Sequence, residues 1–291
     1  MNVDLSRPIL VTGASGKTGR SVVSRLVSGG VKVRVFVRRQ EAGDELLASG
    51  ASEMVLGDLL DDDALRSAIV GTGQIMHICP PMHPAEDEIA ASIFAHGRDA
   101  GVSRLVLYSV LHPMIDVPHH RRKLIAERAL IDSGLAYTIL QPCRYMQHLA
   151  PIWKEVVATG IHRMPFATDA AFSLVDLHDL AEASCNVLTQ AGHEFATYQL
   201  CGPQRLSQID CAEILSRHLG RTITAEAKPL EVFLGDARKA GMPEPRIETM
   251  SKMNAHYDAH GLLGNSNVLH WLLGREPTNF ATYVARDFPS A

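Results

Sequence analysis

Hydrophobic positions in the first half of the chain come in short runs, each followed by a segment of helical periodicity. Residues 7–12 (RPILVT) read as a buried strand, and residues 17–28 (KTGRSVVSRLVS) as a helix stopped by Gly29-Gly30. β-Branched residues crowd 31–38 (VKVRVFVR), which predicts a second strand. EAGDELLASG is helical and ends at Gly50, and SEMVLGD, 52–58, predicts a third strand. Asp61 is placed to cap a helix running through Val70. QIMHICPP, 74–81, reads as a fourth strand closed by two prolines, and a helix over 86–100 leads to a fifth, RLVLYSVL, 104–111. A helix over 119–133 and a sixth strand, AYTILQP at 136–142, complete the series.

Strands alternate with helices at about 30 residues per repeat, the pattern of an α/β fold with a parallel sheet covered on both faces. Crossovers should be right-handed, with ligand at the carboxyl ends of the strands. Past residue 150 the alternation loosens. FSLVDLHDLAEASCNVL returns to strand then helix, with Asp176 and Asp179 reading as a strand-to-helix cap, and 198–203 (YQLCGP) predicts one more strand. From about 205 short helices dominate, punctuated by proline and glycine in 229–245 and 261–267. The expected organisation is a doubly wound domain over 1–150, with strand and helix contributions from about 170–203. A smaller, mostly helical lobe covers 151–169 and 204–291, and a substrate site is expected in the cleft between lobe and domain.

Charge and cysteine content narrow the partners. The net charge of −4 offers no basic face for nucleic acid, and no apolar run approaches the ~20 residues of a membrane span. The N-terminal residues MNVDLSRP lack the basic and apolar regions of a secretory signal. The cysteines Cys79, Cys143, Cys185, Cys201 and Cys211 are odd in number and widely spaced, without CxxC, as expected of reduced thiols in a cytoplasmic protein. His256 and His260 stand four apart but without HExxH or an acidic partner, so no metal site is expected.

Gly13, Gly16 and Gly19 lie between the first strand and the first helix. One glycine permits a tight turn, one lets the backbone approach a pyrophosphate, and one lets helix and strand pack closely. The helix N–H groups then face the anion, so the fold is read as a Rossmann-type dinucleotide-binding domain. An NAD site usually closes the second strand with an acidic residue, whereas here it ends Val37-Arg38-Arg39. A guanidinium at that point matches a 2′-phosphate, with Lys17 adding charge, and NADP(H) is the expected cofactor.

The runs VTGASGKTGR, VRVFVRR, VLGDLLDDDAL, ICPP, LVLYSVLH and KLIAERALIDSGLAYTILQPCRYMQHL together resemble the NmrA-like family of atypical short-chain dehydrogenase/reductase proteins, as does the closing REPTNFATYVARDF. Members of this family include quinone and azo reductases, other NADPH-dependent reductases, and catalytically silent redox-sensing regulators. The resemblance implies that Gly13, Ser15, Gly16, Lys17, Thr18 and Gly19 form the dinucleotide loop and that Arg38 holds the 2′-phosphate. It places Asp58 and Leu59 at the adenine and Pro80 and Pro81 beside the nicotinamide ribose. Lys123 becomes the family's helix lysine, and Pro142, Cys143, Tyr145 and Met146 belong to the loop over the nicotinamide.

Typical short-chain dehydrogenases use Tyr-x-x-x-Lys and a serine at the end of the fifth strand. Lys123 and Ser109 occupy two of these positions, but His119 replaces the tyrosine. Two readings stay open. Either His119 or His120 donates the proton, or the acceptor is a quinone or azo compound whose delocalised anion water can protonate. Tyr145 and Met146, with His83 and His120, are candidates for contacting a flat aromatic substrate. The expected function is therefore NADPH-dependent hydride transfer to a small, aromatic electrophile. The alternatives are a silent NADP(H) sensor that binds a regulatory protein partner, and a carbonyl or alcohol oxidoreductase using His119. A homodimer is compatible with all three.

Overall fold

A computed structural model of the protein describes residues 3–289. In chain order the elements begin with β1 (Ile9–Val11), α1 (Lys17–Ser28), β2 (Val33–Val37), α2 (Gln40–Ala48), β3 (Glu53–Leu56), α3 (Asp62–Ile69), β4 (Gln74–His77) and α4 (Glu86–Asp99). They continue with β5 (Arg104–Tyr108), α5 (Pro118–Ile131), β6 (Tyr137–Pro142), β7 (Arg144–Tyr145), α6 (Trp153–Thr159), β8 (Ile161–Met164), β9 (Phe172–Val175) and α7 (Leu177–Thr189). The remainder are β10 (Ala196–Leu200), β11 (Arg205–Leu206), α8 (Gln208–Leu219), β12 (Thr224–Ala227), α9 (Leu230–Lys239), α10 (Glu244–His260), α11 (Asn267–Leu273) and α12 (Phe280–Asp287). No helix among the described residues is long and apolar enough to cross a membrane.

The described residues form two compact units. Unit 1 holds the chain through Ile115, His120–Gln141 and Leu180–Tyr198. Unit 2 holds Asp116–His119, Pro142–Asp179 and the chain from Gln199 onward.

Unit 1 is built on a seven-stranded sheet of order β10-β6-β5-β4-β1-β2-β3. The pairings from β6 across to β3 are parallel, with Leu10 beside Ile75 on one side and Arg34 on the other. Every residue of β1, β4 and β5 is buried, as a strand covered on both faces requires. On one face Leu10, Ile75, Leu105 and Ile139 pack against Ile89, Ile93 and Phe94 of α4 and Ala126 and Leu130 of α5. Each such aliphatic side chain contributes about 1.5–3 kcal/mol by leaving water. Asp61 caps α3 as its sequence position predicts, its carboxylate accepting from the Ala64 N–H at 3.1 Å.

The segment 180–198 belongs to unit 1 because buried polar side chains of the sheet bind its backbone. Gln74 donates to the Leu188 carbonyl at 3.0 Å, Thr138 to that of His193 at 2.6 Å, and Arg104 to those of Val187 and Gln190. Arg104 also pairs with Glu194. Of the two strands read from 170–203, β10 alone joins the large sheet, beside β6.

In unit 2, β9 lies between β7, to which it is parallel, and β11, to which it is antiparallel. β12 and β8 make a parallel pair that the alternation of the sequence did not announce. Helices supply the rest of the unit, and α8 opens with a capping box between Ser207 and Asp210. Gly202 passes under β9, where a Cβ would lie 1.8 Å from the Leu174 carbonyl oxygen, so only glycine fits.

Candidate functional site

The turn between β1 and α1 is shaped by two close approaches. Gly13 has φ +63°, and a Cβ there would meet the Ile78 carbonyl oxygen at 2.3 Å. A Cβ on Gly19 would meet the Gly13 carbonyl oxygen at 2.2 Å. These two glycines therefore set the turn and the helix–strand contact. Gly16 is the N-cap of α1 and, having no side chain, leaves the first-turn N–H groups without a side-chain cap. Ser15, Gly16 and Lys17 are exposed and Thr18 partly so. This arrangement is an uncapped, positive helix end open to solvent.

Arg38, just past β2, is 79% exposed at its side chain, with its guanidinium 3.9 Å from the Asp58 carboxylate. Asp58 also accepts from the Leu60 N–H at 3.0 Å, which fixes the loop after β3. Leu59 is partly buried and packs against the core. Pro80 and Pro81 are exposed after β4, and His83 accepts from the Ala85 N–H at 3.2 Å. Met82 and His112, in the loops after β4 and β5, have φ of +59° and +55°. Such values are uncommon outside glycine and tend to collect at functional loops.

Beneath those loops lies a buried polar cluster. The Lys123 ammonium donates to the Tyr108 carbonyl at 2.8 Å and pairs with the Glu86 carboxylate. Ser109 donates to Glu127, and Gln141 donates to the same carboxylate at 2.9 and 3.0 Å. Burial pushes the Glu127 carboxyl up, against the pull of its bonds to Ser109 and Gln141. His77 is wholly buried, its Nδ1 2.8 Å from the Thr12 hydroxyl, and burial together with the Lys123 charge lowers its pKa to about 3. Lys123 and Ser109 are thus each tied to an internal carboxylate that the sequence reading did not single out. The i,i+4 spacing of Lys123 and Glu127 was the available signal for one of them. Glu86 read only as a helix start.

His119 sits partly exposed in the first turn of α5. His120, a candidate for touching substrate, is fully buried, with Nδ1 2.9 Å from the His112 carbonyl oxygen. Its ring faces backbone because that position of α5 packs inward.

In unit 2, Tyr145 and Met146 line a pocket with Arg144, His162, Phe166 and Phe172 among its other walls. Tyr145 stacks on His148 with ring centroids 5.6 Å apart. All five cysteines are buried and free. Burial raises Cys79 and Cys211 to about 12 and Cys143 well above the ordinary thiol range, so they remain protonated fillers.

Asp176 caps α7, accepting from the His178 N–H at 3.1 Å, but Asp179 does not share that role. It accepts from the Thr278 N–H at 2.6 Å and from Arg275 at 2.8 Å. The expected cap therefore holds for one aspartate only, because the second points to a distant loop instead of its own helix end.

The NmrA-like family profile matches residues 6–284 of the chain. The chain is 28% identical to the NAD(P)H azoreductase of Xenophilus azovorans over 95% of its length and 96% of that protein. It is 33% identical to the (4-alkanoyl-5-oxo-2,5-dihydrofuran-3-yl)methyl phosphate reductase of Streptomyces griseus, over 82% of its own length and 83% of that protein. Its fold superposes on that of the Citrobacter sp. triphenylmethane reductase complexed with NADP(H), with a TM-score of 0.84 and 24% identity, covering 96% of this chain and 99% of that one.

Proposed function

Because this chain belongs to the NmrA-like family, we propose that it is an NADPH-dependent oxidoreductase acting on a small, aromatic electrophile of the quinone or azo type. The observation that carries this reading is the uncapped first turn of α1 on one side of β1 and the exposed Arg38 at the end of β2. The first suits a pyrophosphate, the second a 2′-phosphate. The reductase names of the relatives support the same reaction class.

The cofactor supplies the hydride, and the protein binds and orients. Backbone N–H groups at Lys17, Thr18 and Gly19 hold the pyrophosphate, and Asp58 and Leu59 border the adenine. Lys123 has two of its three donors engaged, by Tyr108 and Glu86, and keeps the third for a ribose hydroxyl. Ser109 donates its proton to Glu127 and is poorly placed to donate to a substrate carbonyl. With no tyrosine at position 119, the residues favour an acceptor whose reduced anion is delocalised and takes its proton from water.

The test is titration with NADPH and NADH, followed by NADPH oxidation with quinones, azo dyes and aldehydes. NADPH should bind at least about tenfold tighter than NADH, as a charge-assisted guanidinium–phosphate contact implies, and turnover should appear with quinones or azo dyes. Arg38→Asp should invert the nucleotide preference. Tight binding without turnover on any acceptor would replace the enzyme by a nucleotide sensor. An absence of NADPH binding would remove both.

A further inference from the structure

The pocket of unit 2 contains a cation with no anion. Arg144 lies in β7, and its Cζ sits over the Phe166 ring at 4.6 Å and the Phe172 ring at 5.2 Å. Its hydrogen-bond contact is Nη2 to the Met164 sulfur at 3.8 Å, a weak acceptor for a group that carries five donors. Among the described residues no carboxylate pairs with it. The three titratable groups that interact with its charge, Cys211, Tyr257 and His162, are neutral at pH 7. Burial holds the Cys211 thiol and the Tyr257 hydroxyl up to about 12, and burial with the Arg144 charge lowers His162 to about 4. Arg144 itself falls to about 10 through burial and stays charged.

Two further groups in the pocket wall are buried and lack hydrogen-bond partners. They are Nδ1 of His162, 6% exposed, and Oε1 of Gln208, 2% exposed. The Gln208 amide nitrogen is already committed to the Phe166 carbonyl at 2.5 Å, which fixes the side chain. Polar atoms left in this condition cost stability unless something completes them. The remaining walls, including Met146, Leu206 and Phe280, are apolar.

We propose that this pocket binds an aromatic small molecule carrying one carboxylate or sulfonate, with Arg144 as the anion-recognition group. One positive charge calls for one negative charge. The planar guanidinium, seated over two touching rings, matches a two-oxygen face. His162 donates to the same anion as its Nδ1–H tautomer, the Gln208 amide oxygen accepts from an N–H or O–H on the ligand body, and the aromatic walls take the rest of the ligand. On the reductase reading above, this molecule is the acceptor, which narrows the substrate class to acidic aromatic quinones or azo compounds. The sequence holds a faint trace of the site, an arginine inside the otherwise weakly polar run PCRYM.

Naphthoate and its neutral counterpart naphthylmethanol are the probes, titrated calorimetrically into the full chain without nucleotide. Naphthoate should bind at least about tenfold tighter, the scale of one desolvated charge-assisted pair. Arg144→Met should abolish that margin while keeping naphthylmethanol binding, and Arg144→Lys should keep part of it. Naphthoate that fails to bind, binds no tighter than the alcohol, or ignores Arg144→Met overturns the proposal. The wild-type comparison stands even if a variant misfolds. Naphthoate binding in a protein that fails to oxidise NADPH with any quinone, azo dye or aldehyde leaves the site intact and removes the reductase. Turnover with equal KM for acidic and neutral quinones does the reverse.

Discussion

Lys123 shows how a residue assigned from sequence takes its character from a residue that is not. Its position on α5 was legible, but its partner Glu86 stands at the start of another helix and is 1% exposed. Both charges are out of water, so removing one strands the other. Glu86→Gln should therefore destabilise the protein by about 3–5 kcal/mol, read by urea unfolding. A change within error would mean that the ammonium is hydrated and the pair dispensable. Gly13 is the opposite case. Its left-handed turn follows from a local strand–turn–helix motif and was readable directly, although the Ile78 carbonyl that leaves no room for a Cβ comes from a distant strand end.

At the scale of elements, periodicity located the strands of unit 1 to within a few residues, most directly the central β1, β4 and β5, which are wholly buried and read as continuous apolar runs. β8 and β12 escaped notice, since each is short and only partly buried. α12 is held by one contact in particular. Arg286 donates to both oxygens of the wholly buried Asp176, at 2.6 and 3.2 Å, and Gln147 adds a third bond at 2.7 Å. Burial alone would raise the Asp176 carboxyl, but these bonds and the Arg286 charge hold it below its ordinary value. Asp176→Asn should cost about 3 kcal/mol and speed amide exchange in α12 well beyond that in β1. Unchanged exchange in α12 would show that its apolar face alone anchors it.

For the whole molecule, each unit carries a buried neutral histidine, His77 in unit 1 and His162 in unit 2. Both have folded pKa values lowered from 6.5, to about 3 and about 4, chiefly by burial. The unfolded chain takes up these protons and the folded chain refuses them. Their contribution is complete above pH 6.5 and is lost as pH falls toward 4, by about 1.4 kcal/mol per pH unit for each group. Glu127, raised by burial, acts in the opposite sense and is one group against two. Unfolding free energy should therefore decline from pH 6.5 to 5, in each transition if the units melt separately. A flat profile would place both imidazoles in contact with water.

The amino-acid sequence by itself determined the βα alternation, the glycine turn, the arginine after β2 and the missing tyrosine. All of these rest on spacing within one or two elements, where backbone geometry links pattern to structure directly. Tertiary structure decided where the polar side chains go. Ser109 meets Glu127 18 positions away, Asp179 meets Thr278 across 99, and Asp176 meets Arg286 across 110. It also set Arg144 over two aromatic rings with no carboxylate partner among the described residues. Such partnerships depend on which chain segments packing brings together, and no local period encodes them.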